Sequence, residues 1–204
     1  MEARQIAGPA GPIEAVLRRV EAPRAVAVIC HPHPLYGGTM QNKVVTMLDR
    51  SLHELGLVTW RFNFRGVGAS AGEHDHGIGE QQDLAAVVEQ ATQHHPGLPL
   101  WLAGFSFGAW VSGRQAARLG AAKLISVAPP VGKWDYSEVA PPCPWTVIQG
   151  DADEVIDATH VFDWFERTQP QAQLIRFDGA GHFFHGRMTE LRERLQQAVA
   201  AHLP

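Results

Sequence analysis

The run Ala25-Val26-Ala27-Val28-Ile29-Cys30 is apolar at every position, with no alternation of the kind a half-exposed strand shows. A strand buried between two layers of helices needs that pattern. Further strands are predicted at Val58 to Asn63, Leu98 to Ala103, Lys123 to Ala128, Pro144 to Gly150 and Leu174 to Phe177. The segments between them read differently. Val44, Leu48, Leu52 and Leu55 fall on one helical stripe that Gly56 stops, and Leu84, Val87, Val88 and Ala91 mark a second. A third helix is predicted through Trp110 and Val111 to about Leu119, capped by Gly120. A fourth holds Val161 to Phe165, and Leu191, Leu195, Val199 and Leu203 form the last stripe. At the start of the chain, Gly8-Pro9-Ala10-Gly11-Pro12 is a turn signal between Arg4 to Ala7 and Ile13 to Val20, which predicts a hairpin.

Strands alternating with helices predict an α/β fold of about eight strands, the sheet mostly parallel with its second strand antiparallel, and helices on both faces. One domain over 1–204 is expected, since no repeat, low-complexity tract or linker interrupts the chain. The proline-rich stretch Pro129 to Pro142 is too short for a lid domain. Chemistry in such sheets gathers in the loops beyond the carboxyl ends of the strands.

Composition narrows the function classes. A hydrophobic content of 45% and a charged content of 19% describe an ordinary globule. The formal charge of -4, with no run of lysine and arginine, gives no electrostatic footprint for nucleic acid. Cys30 and Cys143 have neither metal-finger spacing nor disulfide-scaffold density, so both are expected to be reduced. No stretch reaches membrane-spanning length and Met1-Glu2-Ala3-Arg4-Gln5 lacks signal-peptide blocks, so a cytoplasmic location without membrane partners is expected.

The apolar strand ending at Ala103 runs into Gly104-Phe105-Ser106-Phe107-Gly108, a G-x-S-x-G pattern joining strand to helix. Glycines two residues either side allow a turn tight enough to strain the serine and push its hydroxyl outward. A serine hydroxyl needs a histidine base, an acid to orient it and backbone donors for the oxyanion. After the strand ending at Gly150 come four carboxylates, Asp151, Asp153, Glu154 and Asp157; one can orient an imidazole, and Asp157 also suits a helix N-cap. After the last strand come Asp178-Gly179-Ala180-Gly181-His182-Phe183, which puts His182 at the strand end where a base is required. His185 is expected instead at the start of the final helix. Phe107 offers one oxyanion N–H, and the second should come from the loop His31 to Thr39. Pro32 and Pro34 have none, which leaves His33, Leu35 or Tyr36.

His31 and His33, with His74 and His76, are a rival set of metal ligands. With no helical histidine pair beside a glutamate, and Ser106 left unexplained, we expect neither metal nor cofactor, and read these histidines as loop braces.

His31-Pro32-His33-Pro34 through Gly37-Gly38-Thr39-Met40 with Asn42-Lys43, and Arg61-Phe62-Asn63-Phe64-Arg65-Gly66-Val67-Gly68 with Ser70 and Gly72, add specificity to the serine motif. Together they resemble, over nearly the whole chain, the α/β-hydrolase superfamily, and within it small lidless bacterial hydrolases similar to dienelactone hydrolase. The resemblance implies Ser106 as nucleophile, His182 as base and Asp153 as acid, because Gly150-x-x-Asp153 matches the family's acid loop better than Asp151 does. Asp75, Glu80 and Asp83 also follow a family pattern, to which only turn and helix-start chemistry attaches. Dienelactone hydrolases carry cysteine where this chain has Ser106, so lactone specificity does not transfer.

Without a lid the site should be open, with Tyr36, Phe105, Trp134, Tyr136 and Phe183 as candidate substrate contacts. The expected activity is cleavage of a carboxylic ester or thioester of a small-molecule acyl substrate through an acyl-enzyme. A peptidase or amidase on the same triad, and a non-catalytic binding protein of the same fold, are the alternatives.

Overall fold

A computed structural model describes residues 1–168 and 172–204. Strands β1 (Glu2–Gly8) and β2 (Gly11–Arg18) are followed by β3 (Ala25–Cys30), α1 (Lys43–Glu54), β4 (Leu57–Phe62) and α2 (Ile78–His94). Next come β5 (Leu100–Phe105), α3 (Phe107–Gln115), β6 (Lys123–Val127), β7 (Trp145–Gly150), α4 (Ala158–Thr168), β8 (Gln173–Phe177) and α5 (Met188–Val199). All eight strands join one sheet in the order β1-β2-β4-β3-β5-β6-β7-β8. Among the described residues, only the β1/β2 and β2/β4 pairings are antiparallel. This is the α/β-hydrolase fold.

The uniform apolarity of β3 has a direct cause in the packing. Val26, Val28 and Cys30 point into one core with Leu84 and Val87 of α2, Val111 of α3 and Val161 of α4. Ala25, Ala27 and Ile29 point into the other, with Val44, Leu48 and Leu52 of α1 and Leu191, Leu195 and Val199 of α5. Successive strand residues face opposite layers, so a strand covered on both sides carries no polar phase.

The predicted boundaries shift at several ends. Gly8 pairs with Gly11 around the two-residue turn Pro9-Ala10, which starts β2 two residues earlier than predicted. Leu98 closes a turn onto the His95 carbonyl, so β5 begins at Leu100 and runs to Phe105. Helix α3 stops at Gln115; Gly120, at φ 67°, and Ala121 close the turn that follows onto the Ala117 and Ala116 carbonyls. Helix α5 ends at Val199, a 3-10 turn covers Ala200–His202, and Leu203 lies beyond it, still packed on the core. His185 lies in a turn ahead of the N-cap residue Arg187, not at the start of the helix. Between β6 and β7 the chain holds only an isolated bridge, Val131 to Trp134, and no inserted domain. No helix among the described residues is long and apolar enough to cross a membrane.

Candidate active site

Ser106 sits between the end of β5 and the start of α3 at φ 53°, ψ −120°, a conformation that costs a residue with a β-carbon about 1–3 kcal/mol. The turn is held by the Ser106 N–H on the Val127 carbonyl (2.9 Å) and the Ala109 N–H on the Ser106 carbonyl (2.8 Å). The two motif glycines have separate reasons. A β-carbon at 104 would come within 2.2 Å of the Gly108 carbonyl oxygen, and one at 108 within 2.4 Å of the Cys30 carbonyl oxygen. The first lets α3 fold back over β5; the second lets it press on β3.

From this turn the Ser106 hydroxyl lies 3.1 Å from His182 Nε2, and His182 Nδ1 lies 2.8 Å from Asp153 Oδ2. Residues 76 positions apart thus meet at one edge of the sheet. Asp153 is enclosed: its Oδ2 also accepts from Gln149 Nε2 (3.0 Å), while Oδ1 takes the N–H groups of Val155 (2.9 Å) and Ile156 (2.7 Å). Burial alone would raise its pKa, but the hydrogen bond with His182 and those from the Ile156 and Val155 N–H groups outweigh burial and hold it below the usual value.

The other three carboxylates of this loop are spent elsewhere. Asp151 accepts the Gly179 N–H (2.6 Å), Glu154 accepts the His182 N–H (3.0 Å), and Asp157 accepts the Thr159 N–H (2.9 Å) at the start of α4, as its N-cap reading required. Asp151 and Glu154 tie the loop after β7 to the loop after β8, which places the imidazole.

Around the triad the predicted substrate contacts separate. Phe183, 37% exposed, stands edge-on to the His182 ring, and Tyr36 is exposed against the His33 ring. Trp134 packs on Phe107, Trp110 and His33. Phe105 is not a substrate contact: it is fully buried, its ring packed against that of His182 at 5.0 Å. Tyr136 is not one either. It lies in the core against Trp164, where burial pushes its phenol pKa well up.

The loop after β3 forms a 3-10 turn over Pro34–Tyr36 that consumes most of its donors. The Leu35 N–H goes to His33 Nδ1 (3.3 Å), and the Tyr36 and Gly38 N–H groups both go to the His33 carbonyl (3.1 Å each). Leu35 and Tyr36 are therefore corrected as oxyanion candidates. Of the three candidates, only the His33 N–H takes no partner among the described residues. Its ring lies against that of Phe107, at 4.9 Å.

The remaining motif residues fasten these loops. Asn63 Oδ1 accepts the Met40 N–H (2.8 Å), Arg61 Nη1 donates to the Met40 carbonyl (2.8 Å), and Arg65 grips Asp83 through Nε (3.0 Å) and Nη2 (2.8 Å). His31, fully buried, donates from Nδ1 to the Pro32 carbonyl (2.6 Å) and accepts the Phe64 N–H at Nε2 (3.0 Å). Both ring nitrogens are thereby committed, which makes it a brace between β3 and the chain after β4. Among the described residues, no three His, Cys, Asp or Glu side chains are arranged to hold a metal ion.

Burial lowers the His31 pKa from 6.5 to about 4, against the opposing bond to Pro32 and with help from His33. The unfolded chain therefore takes up this proton first. The stability tied to the neutral ring is complete above pH 6.5 and lost as pH falls toward 4, by about 3 kcal/mol in all. Urea unfolding across that window should show a steeper pH dependence for the wild type than for His31→Asn; parallel curves would refute the assignment.

Comparison with known proteins places the chain in a family of the same fold. The serine aminopeptidase S33 family matches residues 21–145. A lidless α/β serine hydrolase of Xanthomonas campestris, XC6422, is 50% identical, with a TM-score of 0.97 over 100% of this chain and 95% of that one. An α/β serine hydrolase homologue of Coxiella burnetii is 46% identical, with a TM-score of 0.93 over 97% of each chain. An uncharacterized protein of Rickettsia prowazekii (strain Madrid E), RP471, is 38% identical over 200 residues, covering 92% of this chain and 84% of that protein. The chain belongs to the serine aminopeptidase S33 family of serine hydrolases, as a small lidless member of the α/β-hydrolase superfamily.

Proposed function

We propose that the protein is a cytoplasmic hydrolase of carboxylic esters or thioesters, working through Ser106, His182 and Asp153 on a small-molecule acyl substrate. The observation that carries this reading is the unbroken chain from the Ser106 hydroxyl through the imidazole to a buried carboxylate, at 3.1 and 2.8 Å. His182 Nε2 takes the hydroxyl proton as Ser106 Oγ attacks the acyl carbonyl, and Asp153 stabilises the imidazolium that forms. The oxyanion is held by the Phe107 N–H, which α3 leaves free at its first turn, and by the His33 N–H. His182 then protonates the leaving group, and water activated by the same imidazole releases the acyl-enzyme.

The family's aminopeptidase description favours one second reading, amide cleavage on the same triad. A fluorophosphonate probe should label the wild type and not Ser106→Ala; labelling that survives the substitution would sink the nucleophile assignment. Turnover of p-nitrophenyl butyrate and butyryl-CoA should exceed that of amino-acid p-nitroanilides. The reverse ranking would select the amidase.

A further inference from the structure

Glu80, in the first turn of α2, is fully buried. A carboxylate there needs partners. Its Oε1 accepts the Asp75 N–H (2.9 Å) and its Oε2 the Gly77 N–H (2.7 Å). His74 Nδ1 also lies 2.9 Å from Oε1. One side chain thus fixes the loop 74–77 and the imidazole that this loop carries.

That imidazole, its side chain 6% exposed, does not face water. Its ring packs against His33 at 4.7 Å and against Phe107 at 5.8 Å. His33 and Phe107 are the two residues whose main-chain N–H groups serve the oxyanion in the reading above, on which this inference rests. They lie on separate elements, the loop after β3 and the first turn of α3, and are bridged by their own ring contact at 4.9 Å. The His74 ring closes a triangle with them.

We propose that Glu80 and His74 form a positioning unit that holds both oxyanion donors in place from the loop before α2. Neither side chain touches the reacting atoms. Glu80 anchors His74, and the His74 ring sets the spacing between the His33 and Phe107 backbones. Oxyanion stabilisation is steep in donor position, so a small shift costs turnover while leaving ground-state binding intact.

The variants Glu80→Gln, His74→Ala and the double substitution separate this from a helix-capping role. Active serines are first counted by fluorophosphonate titration, and kcat is expressed per titrated serine. Glu80→Gln, close to isosteric, should lower kcat by about 10-fold and His74→Ala by about 10- to 100-fold, each with KM within about twofold. The double variant should be no worse than His74→Ala, because the two act in series. If kcat per titrated serine stays within twofold of wild type while thermal stability falls, the pair merely caps α2 and the proposal is overturned; multiplicative losses would overturn it too. A wild type that takes up no fluorophosphonate would instead remove the hydrolase reading beneath it.

Discussion

Asp153→Asn should lower kcat by about 10⁴-fold with little change in KM, and the surrounding donors say why. Val155 and Ile156 both point N–H groups at Oδ1, so an asparagine must turn its carbonyl oxygen to that side. Its NH2 then faces His182 Nδ1. An amide donor there forces the tautomer that carries its proton on Nε2, the nitrogen 3.1 Å from the Ser106 hydroxyl. The base is full before the reaction begins. Asp151→Asn is the matched control, because its carbonyl oxygen can still take the Gly179 N–H and it has no contact with the imidazole. Steady-state kinetics on a p-nitrophenyl ester should leave that variant within about twofold of wild type. Equal losses in the two variants would mean that the acid has been misassigned.

That pair of variants also marks where the sequence stopped being informative. Strand and helix order was legible because the central strands β3 and β5 carry no polar side chain, while the segments between strands show apolar residues at helical spacing. The nucleophile was legible because the steric demand of the elbow falls on fixed neighbours, Gly104 and Gly108. His182 followed from its place after the last strand. Choosing among Asp151, Asp153, Glu154 and Asp157 was another matter, since all four stand within seven residues on one irregular loop. Asp151 and Glu154 are told apart from Asp153 by the N–H groups that reach them from the loop after β8, about 28 residues away. Resemblance to relatives supplied Asp153; spacing alone had left the choice open.

The aromatic residues failed for a related reason. Phe105 and Phe107 flank Ser106 symmetrically in sequence, yet the turn sends the first against the imidazole and the second toward His33. Aromatic content near a nucleophile therefore does not separate a substrate wall from the packing beneath it. The oxyanion loop was narrowed by chemistry, because proline has no N–H. It could be resolved further only once the 3-10 turn showed that Leu35 and Tyr36 spend their donors internally. Glu80 was legible only as helix-start chemistry and His74 only as a loop brace, since the His74 ring contacts run to His33 and Phe107, far away in the chain.

A common thread is that the reactive geometry is built by backbones pressed closer than side chains permit, and this makes Gly108→Ala the second large effect. The added β-carbon would lie 2.4 Å from the Cys30 carbonyl oxygen and 2.5 Å from that of His31. Neither oxygen can retreat: Cys30 is in register with Gly104 in the sheet, and the His31 ring is pinned between the Pro32 carbonyl and the Phe64 N–H. The first turn of α3 must move instead, and with it the Phe107 N–H and the strained Ser106. Chemical denaturation should show a loss of about 3 kcal/mol, the upper end of ordinary overpacking. The kcat per titrated serine should fall by at least about 10²-fold, as for removal of an oxyanion donor. Gly113→Ala, on the same helix, tests whether position rather than residue type decides. Its β-carbon would meet no backbone atom, only the side-chain methyls of Val139, at 2.9 and 3.9 Å, and alanine is the better helix former. That variant should stay within about 1 kcal/mol of wild type with turnover preserved. Comparable turnover losses in both variants would show that general disturbance of α3, and not its approach to β3, sets the reaction geometry.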